Sequence, residues 1–518
     1  MELTTKGRYA VTAMAAIASQ GDSNAIPLSQ VAESQVLPLS YLEQIFVSLR
    51  RAGLVESARG RSGGYRLARS AAEISIADIM AAVAEDTDFT RCADQNAPCR
   101  GDARCLTHRL WTQLSRVTGA FFTSVSLADV VSGALRVSNT AFPEAANRVY
   151  LDHNASEPLR PAAKLAMIAA LDIVGNSSSV HGEGRLARGM MEAAREKVAA
   201  LVNAKPSEIV FSSGATEANN WVMAQPFDTI FVAGIEHDSI LAAARANGAR
   251  LIMLPVNGYG RLELDDFARL IRAQGALGRA VVSVQLANNE TGVIQDVAAI
   301  ASLAHEHDIL VHTDAAQAPG RIPVDFAGLG VDLLSISAHK LGGPKGAGAL
   351  VIRDRLDLVP LLLGGGQERR RRAGTENLPS IASFGAAAEE AAASLKGAAR
   401  IAELRDALAA ELIALTPGAV AIATAAPRLP NTLAIAVPGM RAETLVIRFD
   451  LAGIAISAGS ACSSGKVGAS HVLEAMGLPR EIAEGAIRIS LGAATTAKDI
   501  AIFKAAWKAI AGRDAIAA

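Results

Sequence analysis

A chain of 518 residues, half of them apolar and with a formal net charge of −1, is too long for one core and is expected to divide into two or three domains. The charge balance excludes a polyanion mimic or an indiscriminate nucleic-acid binder, and no run approaches the roughly 18 apolar residues of a membrane span. Met1-Glu2-Leu3-Thr4-Thr5-Lys6 lacks the apolar stretch of an export signal. With 4 cysteines in all, the expected setting is a reducing cytoplasm, where clustered thiols bind metal more readily than they form disulfides.

In chain order, periodicity predicts two helices, Pro27–Glu33 and Ser40–Gly53, joined by a short turn. Ser40 is the expected cap of the second, whose apolar face carries Leu42, Ile45, Phe46 and Leu49. Tyr41, Glu43, Gln44 and Ser48 are left for another surface. Two strands around a glycine-rich tip, Arg59-Gly60-Arg61-Ser62-Gly63-Gly64, predict a wing. Between Arg50 and Arg69 stand six arginines against one acid, Glu56. A helix-turn-helix with a basic wing has the shape and charge that DNA requires. Arg59 and Arg61 would meet phosphates, Glu43 and Gln44 would read base edges, and Ser40 completes the candidate DNA contacts. A small helical docking domain with a solvated basic face is the alternative.

Cys92, Cys99, Cys105 and His108 follow in the pattern Cys-x6-Cys-x5-Cys-x2-His. Thiols and an imidazole in one polar, glycine-containing stretch suit zinc or an iron–sulfur cluster. The segment Met1–Val131 resembles the IscR-type iron–sulfur cluster-binding transcription regulators. The resemblance rests on Leu3-Thr4-Thr5-Lys6-Gly7-Arg8-Tyr9-Ala10-Val11, Leu39-Ser40-Tyr41-Leu42-Glu43-Gln44, Arg59-Gly60 with Gly63-Gly64-Tyr65, and Cys105-Leu106-Thr107-His108. It implies a [2Fe-2S] cluster on Cys92, Cys99, Cys105 and His108, a dimer, and promoter DNA as partner. The first cysteine gap is one residue longer than the usual pattern, a departure that bears on Cys99. A histidine ligand, more easily protonated than a thiolate, would make the cluster labile, as a sensor requires.

This module is expected to span 1–135, with 136–147 as a linker without periodicity and 148–518 as the rest. From Val149 onward, short apolar runs at Glu208–Phe211, Thr229–Ala233, Ala280–Leu286 and Ile309–Thr313 alternate with helical stretches. They predict a mostly parallel sheet covered by helices, a large domain of about 160–395. A smaller α+β domain of about 396–518, joined by the amino-terminal segment of this part, follows, with strands near Thr432–Val437 and Ile487–Leu491.

Three strand ends carry chemistry. Ser212-Ser213-Gly214-Ala215-Thr216-Glu217 follows an apolar strand and opens a helix, where backbone amides and the Thr216 hydroxyl can hold a phosphate. Val311-His312-Thr313-Asp314 ends in a carboxylate. Ser335-Ile336-Ser337-Ala338-His339-Lys340 ends in an amine that can be poised for a Schiff base. Amine, carboxylate and phosphate cradle are the three contributions that pyridoxal 5'-phosphate needs from a protein. Far along the chain, Cys462 lies in a Gly/Ser-rich loop, Gly459-Ser460-Ala461-Cys462-Ser463-Ser464-Gly465, where a thiolate could act as nucleophile.

Tyr150 to about Lys498 resembles the NifS/IscS-type cysteine desulfurases. The residues that carry this are Tyr150-Leu151-Asp152-His153-Asn154-Ala155, Ser213 to Glu217, Glu236-His237, Asn288-Asn289-Glu290-Thr291-Gly292, Asp314 with Gln317, Ser337 to Lys340, Gly374-Thr375-Glu376-Asn377 and Gly459 to Ser463. The resemblance implies a fold-type I α/β transferase in which Lys340 anchors the coenzyme and Asp314 pairs with its ring nitrogen. His237 would stack on the ring and help proton transfer, while Asn289 and Gln317 meet ring substituents. Ala215, Thr216, Ser337 and His339 would hold the phosphate, with Thr375 reaching in from a partner subunit. Arg488, with Asn289, would bind the substrate, the arginine gripping its carboxylate as a fork. Cys462 would take sulfur from L-cysteine as a persulfide, with alanine as co-product. Ala493 stands where many relatives have arginine, and Arg369 to Arg372 run together where relatives usually have a glycine within the run; this run is expected as an exposed face near the coenzyme phosphate, with contact to DNA as the alternative.

The whole is therefore expected to be multidomain: a winged helix-turn-helix, mostly α, fused to a pyridoxal-phosphate-dependent desulfurase with a small α+β subdomain. Sulfur would pass to an iron–sulfur scaffold or another acceptor protein, and the chain would form a homodimer. Two alternatives stand beside it: a regulator whose coenzyme domain is only a sensor, and a desulfurase with a docking module that does not bind DNA.

Overall fold

The computed structural model describes residues 4–19, 25–58, 63–85, 108–132, 148–354, 356–459 and 470–514, with 108–113, 116–117 and 512–514 described by backbone alone. The chain separates into two compact units, Met1–Asn147 and Arg148–Ala518. Among the described residues, no helix is long and apolar enough to cross a membrane.

In the first unit, helices Thr5–Ala18, Leu28–Gln35 and Leu39–Arg51 precede a hairpin of Val55–Ala58 and Gly64–Leu67, paired antiparallel. Leu42, Ile45, Phe46 and Leu49 are fully buried against Ala10, Ala13, Met14 and Ile17, as the 3.6-residue period requires. Gly64 permits the hairpin to cross the Ile26–Pro27 backbone, since a Cβ there would lie 2.3 Å from Ile26. Two expectations are corrected. Ser40 does not cap the third helix: Pro38 takes that place, and Ser40 is an exposed residue inside the first turn. Tyr41 is half-buried, edge-on to Tyr9 at 5.8 Å, and so serves the core more than an outer surface. Glu43 and Gln44 are exposed. Arg59 and Arg61 lie outside the described residues, as do Cys92, Cys99 and Cys105; His108 opens the helix His108–Ser124.

The second unit is built on a seven-stranded sheet in the order Ile209–Ser212, Gly348–Ile352, Leu333–Ser337, Ile309–Asp314, Ala280–Ser283, Thr229–Ala233, Arg250–Leu254. All neighbours are parallel except Gly348–Ile352, which runs antiparallel to both of its own. Most strands are buried along their whole length, as a sheet covered on both faces must be. Glu208 falls before its strand, where its carboxylate accepts the Lys205 backbone N–H at 2.8 Å. Leu286 falls beyond its strand, in the loop that enters the cleft described below. A four-stranded antiparallel sheet, Val420–Ala421, Thr432–Ala436, Ala486–Ser490 and Ser457–Ala458, forms the smaller layer. Its core holds Phe449 stacked on Phe503 at 4.9 Å beside Trp507. Val149–Tyr150 pairs with Ile454–Ala455, so the first strand of the unit belongs to this layer.

Candidate active site

Parallel α/β sheets present their ligand sites beyond the carboxyl ends of the strands, where loops diverge. A cleft of about 540 Å³ opens there, lined by Ala215, Thr216, His237, Asn289, Asp314, Gln317, Ser337, His339 and Lys340. Positions separated by 125 residues in sequence, from Ala215 to Lys340, thus share one cavity because each ends or follows a strand of the same sheet.

Lys340 leaves the last parallel strand through a single turn, Ala338–Lys340. Its Nζ donates to the carbonyls of Asn154 at 2.5 Å and Ala155 at 3.1 Å. Asp314 ends its strand with both carboxylate oxygens engaged: Oδ1 accepts the Ala316 N–H at 2.8 Å and Oδ2 accepts Asn219 Nδ2 at 2.7 Å. The helix Ala215–Met223 points its amino terminus into the cleft, and Gly214 before it has φ +153°. Gly348 lies against this turn; a Cβ there would sit 2.6 Å from Gly214 Cα. An amine, an oriented carboxylate and free backbone amides at a helix start are the donor set a pyridine aldehyde phosphate needs, so the residues fit that coenzyme.

His339 is pushed down to about 4, by burial first and then by Lys340, Lys345 and Arg321, so its ring is neutral in this cationic wall. His312, deeper in the same strand as Asp314, is also pushed down to about 4 by complete burial and bridges Ser283 and Ser335. The Gln317 side chain donates to the Asn154 carbonyl at 3.0 Å and accepts from Arg321. Burial lowers Arg321 to about 10.

Two expected site residues stand outside the cleft lining among the described residues. Thr375 is exposed on its own chain. Arg488, in the small sheet, is 1% exposed; its Nη2 donates to Asp152 at 2.8 Å and its Nη1 to the Asn289 carbonyl at 3.0 Å, while its Nε is buried without a partner. Cys462 lies outside the described residues. The described residues on either side of it are Gly459 and Ser470: Ser470 Oγ donates to Glu290 Oε2, and Gly459 packs at the same oxygen, 3.2 Å from where a Cβ would stand. Burial raises Glu290 to about 7, with Ser470, Arg488 and His237 opposing the rise.

The arginine run is only partly the exposed face expected of it. Arg369 and Arg370 are exposed, but Arg372 pairs with Glu217 at 3.0 Å behind the helix start and Arg371 has a buried Nη1. Glu368 just before it is buried and forked onto Arg195 at 2.7 and 2.8 Å. Sequence reasoning missed Asn219 and Ser239, and quoted Glu236 without giving it a role. Asn219 is fully buried beside Asp314. Glu236, also fully buried, is raised well above the usual carboxyl range by desolvation, and Asp314 nearby adds to the rise. An asparagine in an otherwise apolar helical face was the available signal; its partners are distant in sequence.

Residues 149–503 match the class-V aminotransferase family, and residues 3–133 match Rrf2, described as an iron-dependent transcriptional regulator. A cysteine desulfurase of Cereibacter sphaeroides is 42% identical over 365 residues, 68% of this chain and 93% of that protein. The cysteine desulfurase IscS of Dictyoglomus turgidum is 40% identical over 364 residues, covering 68% and 91%. Among solved structures, a NifS-like protein from Rickettsia africae superposes with a TM-score of 0.66 at 35% identity, over 70% of this chain and 99% of that one. A structure titled SspA in complex with cysteine gives 0.58 at 31% identity, over 67% and 99%. With the cleft, the sheet and these relatives in agreement, the chain belongs to the class-V aminotransferase family among the cysteine desulfurases, carried behind an Rrf2-family domain.

Proposed function

We propose that the chain takes L-cysteine to L-alanine, with the sulfur passing to Cys462, while its amino-terminal unit binds promoter DNA and an iron–sulfur cluster. The observation that carries the enzymatic reading is the meeting of the Lys340 amine, the Asp314 carboxylate and the amino terminus of Ala215–Met223 in one cleft. Lys340 would anchor pyridoxal 5'-phosphate, Asp314 would face its ring nitrogen, and Ala215, Thr216, Ser337 and His339 would cradle its phosphate. When bound, that coenzyme withdraws electrons from the substrate carbons and weakens the bond to sulfur. Asn289 and Arg488 are the candidate substrate contacts, the guanidinium through movement that brings its unpartnered Nε toward the cleft. The Cys462 thiolate attacks the substrate sulfur: an S–S bond forms, the C–S bond breaks with its electron pair left on carbon, and a proton completes the methyl group of alanine. The persulfide then passes to a scaffold or another acceptor protein. Thr375, exposed on its own chain, would complete the phosphate site of a partner in a cytoplasmic homodimer.

With L-cysteine, coenzyme and dithiothreitol, the full chain is expected to release alanine and sulfide in equal amounts. Cys462→Ser should abolish sulfide release yet keep the visible absorption of bound coenzyme, whereas Lys340→Ala should lose that absorption. No alanine from a coenzyme-loaded protein would leave the sensor reading in its place. For the regulator, Cys92, Cys99, Cys105 and His108 are proposed as ligands from their spacing and from the Rrf2 match. Anaerobic protein should contain iron and acid-labile sulfide that Cys92→Ser removes. Promoter DNA should be retarded with an affinity that falls as salt rises; retardation unaffected by Arg59→Ala and Arg61→Ala together would contradict the wing contacts.

A further inference from the structure

A second cavity, of about 60 Å³, lies behind the Lys340 turn, between that turn and the residues that follow the small-sheet strand Ala486–Ser490. Its apolar wall includes Leu341, Ile401 and Leu491, and Ala493 leaves one side without a long side chain. Arg160, Arg321 and Lys340 reach it, against one carboxylate, Glu157. A space of this size takes a few waters or one small ion.

The charges around it do not balance. Arg321 is 8% exposed, yet its Nη1 and Nη2 donate only to neutral oxygens: the carbonyls of Gln317 at 3.1 Å, His153 at 3.0 Å and Lys340 at 3.4 Å, and the Gln317 side chain. Arg160 does the same, with Nε on the Leu341 carbonyl at 2.8 Å and Nη1 on Ser394 Oγ at 2.9 Å. At the rim, Arg400 donates to the carbonyls of Thr495 at 2.9 Å and Ala493 at 2.6 Å. Glu157 is already engaged, its Oε2 lying 2.8 Å from His153 Nδ1. Among the described residues, neither Arg160 nor Arg321 has a carboxylate oxygen within 4.0 Å. Carbonyl dipoles satisfy the donors but leave the charges uncompensated, and buried charges are ordinarily paired. Burial accordingly pushes both guanidiniums below the ordinary arginine range. Arg160 Nη2 and Arg321 Nε have no partner among the described residues and are not sealed by neighbouring atoms, so each has a hydrogen left to give.

We propose that this cavity is a binding site for one small monovalent anion, a halide or a short carboxylate, held by Arg160 and Arg321 behind the coenzyme lysine. The volume and the partly apolar wall favour a small, weakly hydrated ion over a dianion such as phosphate. The site goes beyond the desulfurase reading and needs only the two guanidiniums and the space between them. Because Arg321 also holds the Lys340 carbonyl and Arg160 the Leu341 carbonyl, the ion braces the turn that presents the lysine.

The test is a chloride titration of the full chain by 35Cl NMR line width, at constant ionic strength made up with sodium gluconate, whose anion is too large for the cavity. Wild type is expected to broaden the chloride line in a saturable way, and the Tm of its second unit should rise by about 2 °C from low to high chloride. Arg160→Met, which removes a charge, and Ala493→Leu, which fills the space, should each lose both effects. Sodium formate that displaces chloride assigns a site open to carboxylates; formate without effect assigns a halide site. Wild-type line width and Tm no different from gluconate alone would overturn the proposal. So would a chloride response equal in wild type and Ala493→Leu, since it would then come from the surface. Should Arg160→Met fail to fold, Ala493→Leu decides, because Ala493 is exposed and has no polar side-chain atom to lose. Failure of the desulfurase reading would show separately, as absence of alanine with the chloride response intact.

Discussion

Glu290 illustrates how a side chain acquires a property its sequence neighbours do not predict. It lies in a run of polar residues, Asn288-Asn289-Glu290-Thr291, that folds inward and buries the carboxyl under Ser470 and Gly459. The folded carboxyl holds its proton up to about 7 against 4.5 when exposed. Between those values the folded chain binds more protons than the unfolded chain, so stability falls as pH rises through the window and levels off above it. Glu290→Gln removes the term. Relative to wild type, the variant should gain about 3 kcal/mol between pH 4 and pH 8, the upper figure for a shift of this size. Urea unfolding of both proteins at the two pH values measures it, and equal pH slopes would contradict the burial argument. Lys340 and Asp314 were legible in the sequence because one follows an apolar strand by a single turn and the other closes one. Asn219 and Glu236 were not, since their roles depend on which strand ends the sheet sets side by side.

Short elements carry strain at positions that ordinarily take glycine. Val36, in the turn between the second and third helices, has φ +54° and is 88% exposed. A β-branched residue gains nothing there to offset a left-handed backbone. Arg370 has φ +67° and is exposed, within a stretch where Glu368 and Arg369 are also left-handed. This gives a physical reason for the glycine expected in that run. Val36→Gly and Arg370→Gly should each stabilise their own unit by about 1 kcal/mol, read as a rise in Tm of a few degrees. A fall in either would show that the side chain makes contacts worth more than the strain. At Gly348 the opposite holds. Alanine there would press on Gly214 and the Ile336 carbonyl, each 2.6 Å from the new Cβ. The expected cost is about 1–3 kcal/mol, felt first as weaker coenzyme binding by equilibrium dialysis, because the displaced turn is the helix start facing the cleft.

At the scale of the molecule, the buried apolar clusters divide with the chain. One contains residues only from Ala10 to Leu127, the others only from Val149 to Ala511. Domains with separate cores unfold separately unless something couples them. Urea is expected to give two transitions. Pyridoxal 5'-phosphate should move only the one reported by the buried Trp221 and Trp507, since a ligand stabilises the unit that binds it. One coincident transition by fluorescence and by far-ultraviolet dichroism would mean that the units are thermodynamically coupled.

The sequence by itself determined the two classes of fold, the strand-ending lysine and aspartate, and the helix face that became the core of the winged unit, because periodicity and strand-end chemistry are local. It misplaced the cap at Ser40, where Pro38 holds the cap position and Leu39 begins the helix, and it treated the four arginines as one face. Only the tertiary structure separated Arg372, drawn in by Glu217, from the exposed Arg369 and Arg370. It alone aligned Asn219 and Ser239 between Asp314 and His237 and buried Glu290 and Glu236. Hydrogen-bond direction and desolvation depend on neighbours brought together by the sheet, up to 180 residues apart for Glu290 and Ser470, and no local pattern encodes that distance.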